Sequence, residues 1–150
     1  MATLKDYYNT GDDGAFGIYV EDVQIGQTFT TSEEYSATSA KLLLYKAGTP
    51  GTTLTLSVYA TSEGAPTGAV LASGTVASST LGTNTAGTWI EFTFGEAVTL
   101  DTDTKYAVVV KSSYWDNEGF TKSFGVRREI EGSYAGDALR TSNAGSTWTI

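Results

Sequence analysis

The fold class is decided by the stretch LTLSVYAT, residues 54–61. It alternates with period two, so four apolar side chains share one face and four hydroxyl-bearing side chains share the other. The apolar four are Leu54, Leu56, Val58 and Ala60. A strand of this kind is typical of an antiparallel sheet that covers a core with one face. The turn signals in residues 63–68 lead to a second apolar stretch at 70–76, which predicts a hairpin or a sheet-switching corner.

Similar stretches recur between turn signals about every ten residues, and no window has helical spacing. They are residues 23–30, 41–46, 89–94, 98–100, 106–110, 120–128, 134–141 and the end of the chain. We predict an all-β, two-sheet antiparallel β-sandwich of about nine strands, with jelly-roll or related Greek-key topology. The long loop at 77–88 favours it over the alternative, an up-and-down barrel. We expect residues 27–150 to form the jelly-roll domain and residues 1–26 an acidic N-terminal arm or a first strand packed on it.

The composition excludes several classes of function. The 150 residues contain no Cys and no His, which excludes disulfide frameworks, Cys/His zinc sites and imidazole general bases. The net charge of -8 opposes phosphate binding, so nucleic acid is not an expected partner. No stretch approaches the roughly 18 apolar residues of a membrane span.

The negative charge is concentrated near the N-terminus. Residues 1–34 contain one Lys and seven acidic residues, a net charge of -6, whereas the rest of the chain sums to -2. This segment is either a solvated acidic face or a docking arm for a basic partner. The candidate arm residues are Asp6, Tyr7, Tyr8, Asp12 and Asp13.

Aromatic residues on loops are candidates for contact with a glycan or a protein partner. Tyr114, Trp115 and Asn117 lie in one predicted loop, where rings can stack on a sugar and the amide can bind hydroxyls. Alternatively, Trp115 folds back onto the core. Tyr134 and Trp148 allow the same two interpretations, and the core is favoured for Trp148 because it lies in a strand pattern.

Calcium is the metal that this composition could hold most easily, because it accepts carboxylate and amide oxygens. The candidate ligands are Asp116, Asn117 and Glu118, and residues 12–14 with Glu21 and Asp22 form a second cluster. Neither cluster has EF-hand spacing, and ordinary turn chemistry is the alternative. We predict no other cofactor.

Several short motifs resemble a known kind of domain. They are QTF at 27–29, KAG at 46–48, PTG at 66–68, LASG at 71–74, TKYA at 104–107, YAGDA at 134–138 and NAGSTW at 143–148. In this order they resemble carbohydrate-binding-like jelly-roll accessory domains of phage virion proteins (decoration, tail and fibre) and of secreted bacterial proteins. The resemblance implies a non-catalytic surface domain for adhesion, decoration or glycan contact.

The hypothesis we favour is a phage decoration or fibre protein that docks on neighbouring virion subunits. Virion proteins fold inside the cell and reach the outside on lysis, which reconciles a surface-like Thr, Ser and Gly content with the absence of Cys and of an export signal. We therefore expect the virion surface as its location, extracellular after lysis. One alternative is a carbohydrate-binding module that uses rim aromatics on cell-surface glycans. Another is a glycosidase using carboxylates alone, with Glu91 as the candidate. A free sheet edge could also build a homo-oligomer.

Overall fold

A computed structural model describes residues 3–5, 14–113, 121–128, 136 and 138–150. These residues form nine β-strands and one short 3-10 helix, Ser78–Thr80. The strands are β1 (Gly14–Ile18), β2 (Gln24–Thr30), β3 (Tyr35–Ala47), β4 (Thr53–Ser62), β5 (Ala65–Ala77), β6 (Thr88–Leu100), β7 (Lys105–Ser112), β8 (Ser123–Arg128) and β9 (Ala138–Thr141). The all-β prediction is confirmed. Within the described ranges, no helix has the length and apolar character needed to cross a membrane.

The strands form two antiparallel sheets with jelly-roll connectivity. The four-stranded sheet has the order β1-β8-β3-β6, and the five-stranded sheet has the order β5-β4-β7-β2-β9. The ladders β1–β8, β2–β7, β3–β6 and β4–β5 pair the first strand with the eighth, the second with the seventh, and so on inward. A chain paired in this way is one long hairpin rolled across two sheets, which confirms the predicted sandwich and its topology.

One apolar cluster joins the inner faces of the two sheets. From the five-stranded sheet it includes Leu54, Leu56 and Val58, the inward side chains that the alternation predicts. From the four-stranded sheet it includes Leu44 and Phe92, both fully buried. Since strands of both sheets contribute to one cluster, the two layers fold as one unit.

The predicted hairpin joins β4 to β5, but its turn is shorter than residues 63–68. Glu63 and Gly64 alone make the turn, with φ of 51° and 81°, as a two-residue turn matched to the strand twist requires. Residues 68–71 then leave the ladder as a bulge, since the pairing passes from Ala60↔Thr67 directly to Val58↔Ala72. Gly68 begins the bulge at a φ of 73°.

A second irregularity lies in the β3–β6 ladder, next to residues 41–46. The β3–β6 ladder shifts register between Ala37 and Ser39, and residues 94–97 of β6 are looped out opposite this step. Beyond the shift, Leu42 and Leu44 face the core, while Leu43 and Tyr45 lie on the outer face of an interior strand. The stretch 98–100, predicted as a separate piece, continues β6 beyond this bulge.

The N-terminal part of the sandwich begins earlier than residue 27. The described residues 14–18 form β1, and the predicted boundary between residues 26 and 27 falls inside β2. Ile18, Val23 and Ile25 are at most 3% exposed and belong to the core cluster. Residues 14–26 are therefore an integral part of the two sheets.

The edge strands β5 and β6 close one side of the sandwich. Gly74 of β5 lies so near β6 that a Cβ atom there would be 2.9 Å from the carbonyl carbon of Thr93 and closer still to its oxygen. On the opposite side, Thr149 covers β9 with two backbone hydrogen bonds to Arg140, of 2.8 and 3.0 Å. The Arg140 guanidinium also donates to the Tyr19 hydroxyl at 3.4 Å, which joins β9 to the segment after β1.

Candidate functional site

The outer face of the four-stranded sheet carries the most exposed aromatic side chain of the described residues. Trp89 is 48% exposed, because it alternates with Ile90 and Phe92, which face the core. We call the surface around it the Trp89 face. By register it comprises Ala15, Ser39, Lys41, Leu43, Tyr45, Trp89, Glu91, Thr93 and Arg127.

A tight turn before β6 packs on the outer face of the sheet, two residues ahead of Trp89. Trp89 lies opposite Leu43 in the β3–β6 ladder. The turn closes where Gly87 donates its backbone N–H to the Asn84 carbonyl at 2.9 Å. Gly87 has a φ of 79°, and a Cβ atom there would lie 3.1 Å from Leu43 Cγ and 3.3 Å from Arg127 Cγ. The turn therefore rests directly on the sheet beside the indole ring.

The polar groups beside Trp89 are largely satisfied by one another. Ser39 Oγ donates to Glu91 Oε1 at 2.7 Å, and Lys41 Nζ lies 3.9 Å from Glu91 Oε2. The Lys41 and Glu91 side chains are 50% and 49% exposed, so their ion pair contributes little to stability. It does neutralise the carboxylate next to the ring. The face thus has an apolar centre, and the charged side chains of its margin are Lys41, Glu91 and Arg127.

Two glycines, Gly17 and Gly125, occupy outward positions in the part of the Trp89 face nearest β1. The Tyr45 ring lies over Gly125, its cross-strand partner, where a Cβ atom would be 2.7 Å from Tyr45 Cε2 and closer still to other ring atoms. Gly17, on the far side of Gly125, also adds no side chain. The ring covers backbone that would otherwise be open to water, and it extends the aromatic character of the face toward β1.

Most of the site residues predicted from sequence lie outside the described part of the chain. They are Asp6, Tyr7, Tyr8, Asp12, Asp13, Tyr114, Trp115, Asp116, Asn117, Glu118 and Tyr134. The glycan-contact loop, the calcium site at 116–118 and the docking arm therefore stay predictions. In the ranges that the structure describes, no group of three or more His, Cys, Asp or Glu side chains could hold a metal ion.

Trp148 is the one predicted glycan- or partner-contact residue that lies among the described residues. It is half-buried and follows the turn at Asn143. Its indole packs against Gly145, where an added Cβ atom would lie 3.7 Å from Trp148 Cζ2, an ordinary van der Waals distance. Neighbouring Thr149 pairs with β9, at an edge of the five-stranded sheet, whereas Trp89 belongs to the four-stranded sheet. Trp148 and Trp89 therefore do not share one platform.

Alternation in residues 89–94 puts Trp89 and Glu91 on the same outward face, but Trp89 was not among the contact residues predicted from the sequence. The signal was available, since a large aromatic side chain at an outward strand position is left in water unless something covers it. Glu91, the candidate for a glycosidase, is half-exposed and hydrogen-bonded to Ser39. None of the buried polar side chains in the described ranges is a carboxylate.

The five-stranded sheet has a different kind of outer face. Ala107, Val109 and Leu139 are buried there, although they lie outside the main core cluster. Ser57, opposite Val109 in the β4–β7 ladder, is 5% exposed, and its hydroxyl has no hydrogen-bond partner among the described residues. The centre of this face is thus buried, whereas the Trp89 face presents a large aromatic side chain to solvent.

No family model, no curated protein and no solved structure matches this chain. The resemblance to jelly-roll accessory domains therefore stays a hypothesis that depends on the short sequence motifs. The function has to be argued from the exposed surface of the sandwich.

Proposed function

We propose that this protein is a non-catalytic surface-binding protein, a phage decoration or fibre component that docks on neighbouring virion subunits through the Trp89 face. The observation that carries the proposal is the 48% exposure of Trp89 on the outer face of the four-stranded sheet, opposite Leu43 in the ladder. Protein interfaces concentrate their binding energy in a few residues of this type, with Trp among the most enriched.

The free energy that covering Trp89 would contribute supports a contact role for this side chain. A Trp side chain buries 150–250 Å² in a core or interface, so covering the exposed half of Trp89 removes on the order of 100 Å² from water. At about 25 cal/mol per Å², this corresponds to roughly 2.5 kcal/mol. Ser39 and Lys41 contact the neighbouring Glu91 carboxylate, which lowers the cost of desolvating it without removing that cost.

The composition of the chain is compatible with the virion setting that we propose. A surface protein without Cys can reach the outside of the cell unoxidised and without export when its host lyses. The net charge of -8 keeps such a protein soluble before assembly. The charged side chains of the Trp89 face, Lys41, Arg127 and Glu91, sum to +1, so docking through this face avoids setting the negative charge directly against the partner.

The experiment compares the particle binding of two variants in which the replaced side chains are about equally exposed in the wild type. Particles lacking the protein are incubated with the wild type, with Trp89→Ala and with Val70→Ala, and the bound protein is quantified by immunoblotting after sedimentation. Val70 is the matched control, because it is 47% exposed but lies on the five-stranded sheet. We expect Trp89→Ala to reduce affinity about tenfold or more, which is about 1.4 kcal/mol or more, and Val70→Ala to bind like the wild type. Failure of the wild type to bind, or equal binding by Trp89→Ala, would refute the proposal.

A second candidate function is glycan binding, and the same exposed indole favours it. An aromatic ring can stack on the CH face of a sugar, and Lys41, Glu91 and Ser39 can bind hydroxyl groups beside it. The test is a glycan array with the wild type and with Trp89→Ala, followed by titration of tryptophan fluorescence with any oligosaccharide that binds. Binding that Trp89→Ala abolishes would support this function. An array without hits, or binding that this variant retains, would exclude it for this face.

A further inference from the structure

We draw no further inference here: the strongest candidate, the buried outer face of the five-stranded sheet around Ser57, Ala107, Val109 and Leu139, carries none, because nothing in the described residues shows what covers it.

Discussion

Replacing Gly74 with alanine should force apart the two edge strands that close one side of the sandwich. An added Cβ atom would lie 2.9 Å from the carbonyl carbon of Thr93 and 3.1 Å from that of Phe92. These are backbone atoms of β6, so no side-chain rotation can relieve the overlap. Either β5 or β6 has to shift, and Phe92, which is fully buried, would shift with its strand.

The expected change in the free energy of unfolding of Gly74→Ala is the balance of two opposing contributions. A Gly→Ala change in a compatible conformation stabilises a protein by about 0.4–1 kcal/mol, because it restricts the unfolded chain. Overpacking a well-packed region costs typically 1–3 kcal/mol. We therefore expect Gly74→Ala to lower the free energy of unfolding by roughly 1–2 kcal/mol.

Two other glycines provide matched controls. At Gly95 of β6, an added Cβ atom would have no other atom within 4 Å and the φ is not positive, so Gly95→Ala should be neutral or stabilising. Gly68 also has open space, but its φ of 73° costs an L-residue about 1–2 kcal/mol. Gly68→Ala should therefore lose stability through backbone strain alone.

Urea unfolding measured by tryptophan fluorescence separates Gly95→Ala, which should keep its stability, from Gly74→Ala and Gly68→Ala, which should both lose stability. With an m-value of about 2 kcal/mol/M, a loss of 1–2 kcal/mol moves the midpoint down by roughly 0.5–1 M. Backbone amide NMR shifts at Thr93 should change in Gly74→Ala and not in Gly68→Ala. The reasoning is refuted if Gly74→Ala is as stable as the wild type, or if Gly95→Ala loses as much.

Three further changes test other parts of the structure. Ser57→Ala should leave stability unchanged or raise it by about 1 kcal/mol, since the buried hydroxyl has no described partner; a lower urea midpoint would contradict this. Thr31→Val should cost about 1–3 kcal/mol in the same assay, because the fully buried Thr31 hydroxyl contacts two carbonyl oxygens of the β6–β7 turn; the exposed neighbour Thr30→Val is its control, and equal effects would argue against it. Deletion of residues 1–13 should preserve the β-sheet circular dichroism spectrum and cooperative unfolding. Deletion of residues 1–26 removes β1 and part of β2, so it should abolish both. A folded product of the longer deletion would disprove the assignment of these strands to the core.

Much of the fold was predictable because strand alternation is a local property. The pattern at residues 54–61 predicted which side chains face the core. Residues 41–46 and 106–110 are apolar on both faces, which is typical of interior strands. β3 and β7 do lie inside their sheets. The hairpin was predicted from glycine and proline, but its turn is only Glu63 and Gly64, because the later Gly68 begins a bulge. A bulge depends on which strand lies alongside, and a single strand's sequence does not contain that.

The candidate site was harder to predict for the same reason. Sequence reasoning looked for contact residues in loops, such as Trp115 and Tyr134, which lie outside the described residues. Trp89 lies within a regular strand, where alternation predicts that it faces outward. Alternation does not predict whether a neighbour covers an outward ring. That depends on the turn at Gly87, which packs on Leu43 and Arg127, and on the absence of a strand beyond β6 in its sheet among the described residues.

By itself, the sequence determined the all-β class, the inward and outward faces of individual strands, and the exclusion of chemistry that needs Cys or His. The tertiary structure decided which strands are neighbours, where the ladders slip at the bulges, and which outer face stays open around Trp89. The physical reason is how far apart along the chain the interacting residues lie. Alternation and turn preferences act over a few residues, whereas strand order and surface cover arise from packing between segments far apart in the chain.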